Sequence, residues 1–341
     1  MTEKKRKNEI LSKEADCSEK SFDDSIRPLS LNDYIGQQVV KDNLRIFLDA
    51  AIGRGEPMDH VLLHGSAGLG KTTLASIIAK ETGRSLRSTS GPAIERPLDL
   101  VIALKSLKEG DILFIDEIHR LRRPVEEILY SAMEDFMLDR IINKGIGAKP
   151  VRIPLPKFTL IGATTRSGSL SSPLRARFGI LLPLTFYTPE QLKKIILRSA
   201  GILNVSITDT AAMELAERSR GTPRIANRML RRVRDFADVK NDGVITDSVA
   251  DYALSCLEID RNGLDRTDRD ILNVLAVKFR GRPVGLETLA ASISEESSNI
   301  EEVYEPYLLK LGLIDKTTKG RMASPEAFRY LGLPIPENIL L

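Results

Sequence analysis

Tryptophan is absent from this chain of 341 residues, and aromatic side chains make up only 5% of it. Stacking platforms for single-stranded nucleic acid need several aromatics on one surface, so none is expected here. The two cysteines, Cys17 and Cys256, form no metal or redox spacing, and scattered thiols suit a reducing cytoplasmic setting. The three histidines, His60, His64 and His119, make no His-x-x-x-His pattern. No apolar run approaches the roughly 20 residues needed to cross a bilayer, so no membrane partner is expected. Net charge is only +3, which neither requires nor excludes DNA, since a local basic patch can do the work of a global one. The opening "MTEKKRKNEILSKEADCSEKS" has no apolar core behind it and reads as a disordered basic tail over residues 1–21, not a signal peptide; its "KKRK" run suits either a solvated tail or an address or DNA-touching arm.

What remains is ordinary globular composition, 42% hydrophobic and 28% charged, with length for two or three domains. Apolar residues recur at helical spacing from Val39 to Leu48, with Asn32 or Asp33 available as a cap. Then "HVLLHG", "DILFIDEIH" and "FTLIGATTR" read as buried strands, the first followed by a Gly-rich turn and a helix closed by Gly83. Continuous apolar strands alternating with helices predict an α/β domain, a doubly wound parallel sheet over residues 22–187. Its ligands belong at the carboxyl ends of the strands. Within it, "MLDRIINKGIGAKPVRIPLPKF" predicts a hairpin with Ile141, Ile142 and Ile146 near its tip, an apolar end suited to a protein contact. Residues 188–258 predict a small helical bundle, in which "RMLRRVR" reads as a solvated face. Residues 259–341 predict three helices and a turn-tipped strand pair, the winged-helix pattern, with Ser298 and Glu301 as a capping box on the third helix.

"GSAGLGKT", residues 65–72, fits G-x-x-x-x-G-K-[ST] between a strand and a helix. Gly68 and Gly70 let the backbone turn its amides toward phosphates, Lys71 adds a point charge, and the Thr72 hydroxyl suits Mg²⁺. In "ILFIDEIH" a buried strand delivers Asp116 to the magnesium shell and Glu117 to an attacking water. A GTPase would need Asn-Lys-x-Asp, and the one Asn-Lys here, in "NKGI", lacks the Asp. Thr164 and Thr165 close the "GATTR" strand, where they either sense the γ-phosphate or simply pack. In "SSPLRARFG" two arginines, Arg175 and Arg177, follow that strand. A doubly wound order puts them at the far side of the sheet from the P-loop, so Arg177 is expected to serve the nucleotide of a neighbouring subunit in a ring or filament. The plainer reading is a surface salt bridge. Arg224, opening a helix of the bundle, is placed to report nucleotide state to it.

These parts together resemble an AAA+ P-loop ATPase. The segments "RPLSLNDYIGQ", "GLGKTTLA", "DEIHRL", "SPLRARFGI" and "GTPRIANRMLRRVRDFA" are more specifically similar to the RuvB family of Holliday-junction branch-migration motors, from about residue 22 onward. The resemblance implies a helicase-type ATPase using ATP and Mg²⁺, working as a homo-hexamer on duplex DNA arms with RuvA and RuvC in recombination and repair. It further implies ATP contacts at Ile26 and Arg27 on the adenine side, and at Gly68, Lys71, Thr72 and Thr73 on the phosphates. Glu134, Asp135, Phe136, Tyr187, Arg224 and Arg177 in trans complete that set. Position 136, commonly Tyr in the family, is Phe here, and position 297, commonly a DNA-contacting Arg, is Ser297. The hairpin corresponds to the RuvA-docking element. The wing, "DKTTKGRMAS", supplies Lys316, Lys319 and Arg321 for phosphate contacts.

Two rivals come from other classes. A sequence-specific replication initiator would carry base-reading side chains on the third helix, whose start, "NIEEVYEPYLLK", is acidic instead. A clamp loader would end in a helical collar rather than a basic-tipped wing.

Overall fold

The computed structural model of the chain describes residues 25–142 and 149–336. Two compact units divide it: Arg27–Thr185, and a second comprising the chain from Phe186 onward together with Ile26.

In the first unit helix α1 (Gln38–Arg54) precedes strand β1 (Val61–His64). Helix α2 (Lys71–Glu81) leads to β2 (Leu86–Ser90), α3 (Pro97–Lys105) to β3 (Ile112–Asp116), and α4 (Arg123–Glu134) to an antiparallel hairpin of β4 (Met137–Ile142) and β5 (Lys149–Pro154). Strand β6 (Thr159–Thr164), the short helix α5 (Ser172–Ala176) and β7 (Ile180–Pro183) complete it. The sheet is parallel throughout, in the order β2-β3-β6-β1-β7. Every residue of β6 is buried, as expected of a strand covered by helices on both faces. Helix α4 turns Val125, Leu129, Ala132 and Met133 inward at helical spacing, against Leu100, Leu104 and Ile115. Burying each large side chain contributes roughly 1.5–3 kcal/mol.

The second unit holds α6 (Pro189–Ile202), β8 (Ser206–Ile207), α7 (Asp209–Glu217), α8 (Pro223–Lys240), β9 (Val244–Ile245) and α9 (Asp247–Cys256). Then come α10 (Arg266–Asn273), running on into a π-helical turn at Val274–Lys278, and α11 (Leu286–Ile293). Helix α12 spans 297–310 with a π-helical middle, Ile300–Tyr304, and precedes the wing of β10 (Ile314–Thr317) and β11 (Gly320–Ala323) and the last helix, α13 (Pro325–Tyr330).

Some local expectations fail. Asn32 and Asp33 do not cap α1; they lie in a turn, and the helix starts after Gln37, whose backbone is left-handed with no side-chain cap. Gln37 is occupied elsewhere, donating through Nε2 to Thr185 O (2.6 Å) and accepting from the Thr185 amide (3.1 Å). Ser298 and Glu301 form no capping box: α12 begins after Glu296, and Ser298 Oγ donates to the Glu296 carboxylate. The "RMLRRVR" face is not simply solvated, because Arg228 is buried and Arg231, Arg232 and Arg234 are half-buried.

Helical bundle and winged helix are joined by a buried ion pair. Arg220, fully buried just before α8, binds the carboxylate of Asp268 on α10. Its Nε donates to Gly263 O at 2.9 Å, and its guanidinium lies 5.4 Å from the centre of the Tyr307 ring. Burial pushes the Asp268 carboxyl above its ordinary pKa, while Arg220 pulls the other way. Asp265 lies 3.8 Å from the same guanidinium, and its backbone amide donates to Asp268 Oδ2 at 2.9 Å, closing a capping box on α10. Breaking a buried pair costs about 3–5 kcal/mol, and Asp268→Ala, which leaves Arg220 to the more distant Asp265, should lower unfolding stability toward the lower end of that range, as read from denaturant midpoints.

Candidate nucleotide site

The carboxyl end of β1 opens into the Gly-rich turn, and two of its glycines have no substitute. Gly65 has φ +147°, and a Cβ there would lie 2.4 Å from Leu184 O. Gly70 has φ +97°, and its Cβ would meet the Tyr34 hydroxyl at 2.7 Å. Only glycine lets the chain swing so closely into α2, whose first-turn amides have no partner within the helix. Buried Lys71 folds over this turn, donating through Nζ to Gly65 O (2.7 Å) and Ser66 O (3.0 Å). Tyr34 props the loop from below, its hydroxyl donating to Leu69 O at 3.2 Å. Sequence reasoning missed both Gly65 as a required glycine and Tyr34, because a single upstream aromatic carries no periodic signal. Burial, then the positive charges of Arg175 and Lys71, hold the His64 imidazole below its ordinary pKa.

The register sets the other groups level with this loop. His64 of β1 lies opposite Thr164 of β6, and Ile115 of β3 opposite Gly162. Asp116 therefore leaves the sheet beside Ala163, two strands from the P-loop strand, roughly 10 Å away at the usual strand spacing. Glu117 follows with a left-handed backbone, φ +48°, a strained conformation for a glutamate. Its Oε2 accepts from the Thr165 hydroxyl at 3.1 Å and lies 3.2 Å from His119 Nδ1. The same His119 nitrogen is 3.0 Å from Thr164 Oγ1. Of the two threonines, Thr164 is wholly buried and Thr165 bonds to Glu117. His119, missed from the sequence, links Glu117 to Thr164 of β6.

Thr72, at the second position of α2, and Asp116 offer hard oxygen ligands, too few to enclose a cation. That donor set fits Mg²⁺, which takes one or two protein oxygens and completes its shell with phosphate and water. Among the described residues no group of three or more His, Cys, Asp or Glu could hold a metal by itself.

Arg177 lies elsewhere, and the reason expected for it needs correcting. Strand β6 is the direct neighbour of β1, and β7 flanks β1 on the other side, so α5 does not belong to a far edge of the sheet. The separation runs along the strands instead. Arg177 caps α5 shortly before β7 enters the sheet opposite Val61, at its amino end. There it pairs with Glu134 (2.9 Å), donates to Pro173 O (2.8 Å) and stacks 4.6 Å from the Tyr130 ring centre. The last turn of α4 is pinned to that end, where His60 Nε2 meets Met133 O at 3.1 Å. Asp135 follows, 3.9 Å from Arg152, and Phe136 stacks edge-on against Phe158. Arg177, Glu134, Asp135 and Phe136 thus gather at one end of the sheet, while Lys71, Thr72, Thr73, Asp116 and Glu117 lie at the other. Arg27 is half-buried in this unit.

In the second unit buried Ile26 accepts from Arg198 through its carbonyl (2.9 Å), and the amide of buried Tyr187 donates to Gly221 O (2.9 Å). Arg224 sits in the first turn of α8. On the wing, Arg321 binds Glu305 (2.7 Å) and Glu301 (3.7 Å), and Lys316 binds the same two acids (2.8 and 3.5 Å). Lys319 is exposed in the turn between β10 and β11. On the hairpin, Ile141 and Ile142 pair in the backbone with Pro150 and Lys149, and Ile146 lies outside the described residues.

Comparison with known proteins follows this division of the chain. The model of the Holliday junction DNA helicase RuvB P-loop domain matches residues 26–184, that of the RuvB AAA lid domain residues 187–260, and that of the RuvB C-terminal winged helix domain residues 261–332. A structure of the Thermotoga maritima RuvB Holliday junction branch migration motor is 49% identical, covering 92% of this chain and 100% of its own, with a TM-score of 0.84. A Lys-to-Arg mutant of the same T. maritima protein superposes with a TM-score of 0.85, at 49% identity over 91% of this chain and 99% of its own. No helix among the described residues is long and apolar enough to cross a membrane. Three consecutive family models and near-complete mutual coverage leave one conclusion, that the chain belongs to the RuvB family.

Proposed function

We propose that this chain is the motor subunit of a branch-migration machine: an ATPase that drives duplex DNA arms through a four-way junction held by RuvA. The observation that carries the reading is the split of the nucleotide-directed residues between opposite ends of one sheet. Lys71, Thr72 and Glu117 serve the chain's own ATP. Arg177 and Glu134, at the amino ends of the strands, meet the ATP of the next subunit. Such head-to-tail contacts close into a ring when the rotation permits, and six subunits is the count that the family resemblance supports. RuvC is then a further partner of the junction-bound complex.

In this ring the amides of Gly68 and Gly70 and the Lys71 ammonium hold the β- and γ-phosphates, and Thr73 extends the grip. Ile26 and Arg27 receive the adenine side, and Tyr187 completes the contacts. Thr72 Oγ1 and Asp116 would hold Mg²⁺, which would supply neutralising charge to the phosphates. Glu117 takes the proton of the attacking water, its carboxylate aimed by Thr165 and His119. The neighbour's Arg177 leaves Glu134 for the phosphate and stabilises developing charge, an effect worth roughly 10³- to 10⁵-fold in rate. Arg224 reports the loss of phosphate to the helical bundle. Ile141, Ile142 and Ile146 on the hairpin give RuvA its contact, and the winged helix grips the duplex.

Strand separation of a synthetic four-way junction with homologous arms tests the reading. With ATP, Mg²⁺ and RuvA we expect two-armed products, and none with a non-hydrolysable analogue; ATP hydrolysis without junction movement would point to an initiator or loader.

Subunit mixing tests the trans arginine. Lys71→Ala should weaken ATP binding by about 10- to 100-fold, the worth of one charge-assisted contact. Arg177→Ala should keep binding and lose hydrolysis. Mixed together, the two inactive variants should regain part of the activity, because an intact P-loop then meets an intact arginine across some interfaces. No regain at any ratio would mean that Arg177 serves its own chain.

A further inference from the structure

Glu126, Tyr130 and Glu134 recur at every fourth position of α4 and so share one face of it. Glu134 is the exposed member and pairs with Arg177. The other two reach α5, the short helix that carries this arginine, by a separate route. Glu126 is buried, and its Oε2 accepts from the Ser171 hydroxyl at 2.7 Å and from the Tyr130 hydroxyl at 3.2 Å. The two hydroxyl oxygens lie 3.1 Å apart. Ser171 is also the N-cap of α5, where it accepts from the Leu174 amide. Leu174 itself is wholly buried in the core cluster that holds Val125, Leu129 and Ala132 of α4. Helix α5 is thus fastened to α4 by a polar contact at its start and an apolar one at its middle, and Arg177 caps its other end.

The tethered phenol fixes which way the Tyr130 ring faces, and Arg177 lies over it, with the guanidinium carbon 4.6 Å from the ring centre. That separation is within the range of a cation–π contact. The carbonyl of the same residue accepts from Arg177 Nε at 3.4 Å. One residue of α4 therefore meets the guanidinium through both its ring and its backbone. The chemistry of the two side-chain partners differs. Glu134 competes with any approaching anion for the arginine. An uncharged ring orients the cation without neutralising it, so the positive charge remains available.

We propose that Tyr130 is the positioning residue for Arg177: its ring, held through the hydroxyl by Glu126 and Ser171, orders the guanidinium before the neighbouring subunit's nucleotide meets it. Ordering the arginine beforehand removes that cost from the hydrolytic step. This rests on the reading that Arg177 acts in trans. The bland alternative is that Tyr130 only packs α4 against α5, in which case its loss lowers stability and has no particular effect across the subunit interface.

Subunit mixing separates these. ATP hydrolysis by the full-length chain is measured at saturating ATP with Mg²⁺ and duplex DNA, and ATP binding is measured separately. Tyr130→Leu should lower kcat by about 3- to 30-fold, the worth of a cation–π contact, with ATP binding unchanged. Tyr130→Phe keeps the ring and should restore most of the rate. Adding Lys71→Ala subunits, whose Tyr130 and Arg177 are intact, should raise the rate per intact P-loop of the Tyr130→Leu chain toward that of the parent. A defect in the chain's own site would stay as it was. The thermal midpoint serves as the folding control. Should the Leu variant unfold early, Tyr130→Met, which keeps bulk without a ring, should show the same loss and the same rescue. The assignment is overturned by a Tyr130→Leu rate equal to the parent's, by a Tyr130→Phe rate as low as that of Tyr130→Leu, or by a loss that mixing does not repair while Arg177→Ala is complemented by Lys71→Ala. Failure of that last pair to complement overturns instead the reading on which the assignment rests.

Discussion

Hydrogen bonding between β1 and β6, residue for residue from Val61 opposite Ile161 to His64 opposite Thr164, sets the level at which the P-loop and the two threonines Thr164 and Thr165 leave the sheet. The pairing of β3 with β6 then brings Asp116 to the same rim. Parallel strands permit this because all their carboxyl ends face one way, and a shift by a single residue would turn each side chain to the opposite face. The interior enforces the register: β6 is buried along its whole length, with no polar face to tolerate a slip. Chemistry at the rim thus depends on apolar packing that never touches the nucleotide.

The same geometry explains a division of labour among charged groups. One end of the sheet collects a lysine, an aspartate and a glutamate; the other collects Arg177 beside Glu134. Glu134 is more than half exposed, so its ion pair with Arg177 adds little by itself, and the Pro173 carbonyl and the Tyr130 ring also hold the guanidinium in place. Arg220, sealed against Asp268, is the contrasting case, in which both charges are removed from water.

Much of this was legible in the sequence because apolar runs and glycine spacing report backbone directly. The P-loop, the Asp116–Glu117 strand, the helices of the second unit and the turn-tipped wing all carry such signals. Strand β2, "LRSTS", escaped because it is a polar, half-exposed edge strand with no apolar run. Strand β7 escaped because it is only "ILLP", four residues ending in proline. Caps were misplaced where a side chain found a better use, as Gln37 did at Thr185. Pairing was least visible of all: nothing in "DKTTKGRMAS" reveals that acids on α12 claim two of its three cations, nor that Arg228 is buried while its neighbours on α8 keep contact with water. Such facts belong to tertiary structure, where charge is assigned by what lies within 4 Å and not by what lies adjacent in the chain.

The buried join between Arg220 and Asp268 has a mechanical meaning. A guanidinium and a carboxylate both removed from water have no intermediate state to slide through, since partial separation leaves two charges poorly solvated at once. The bundle and the winged helix are consequently stiff with respect to each other. Within this unit a rotation at the first turn of α8 would be carried to the strands β10 and β11 with little loss, because the buried join does not yield.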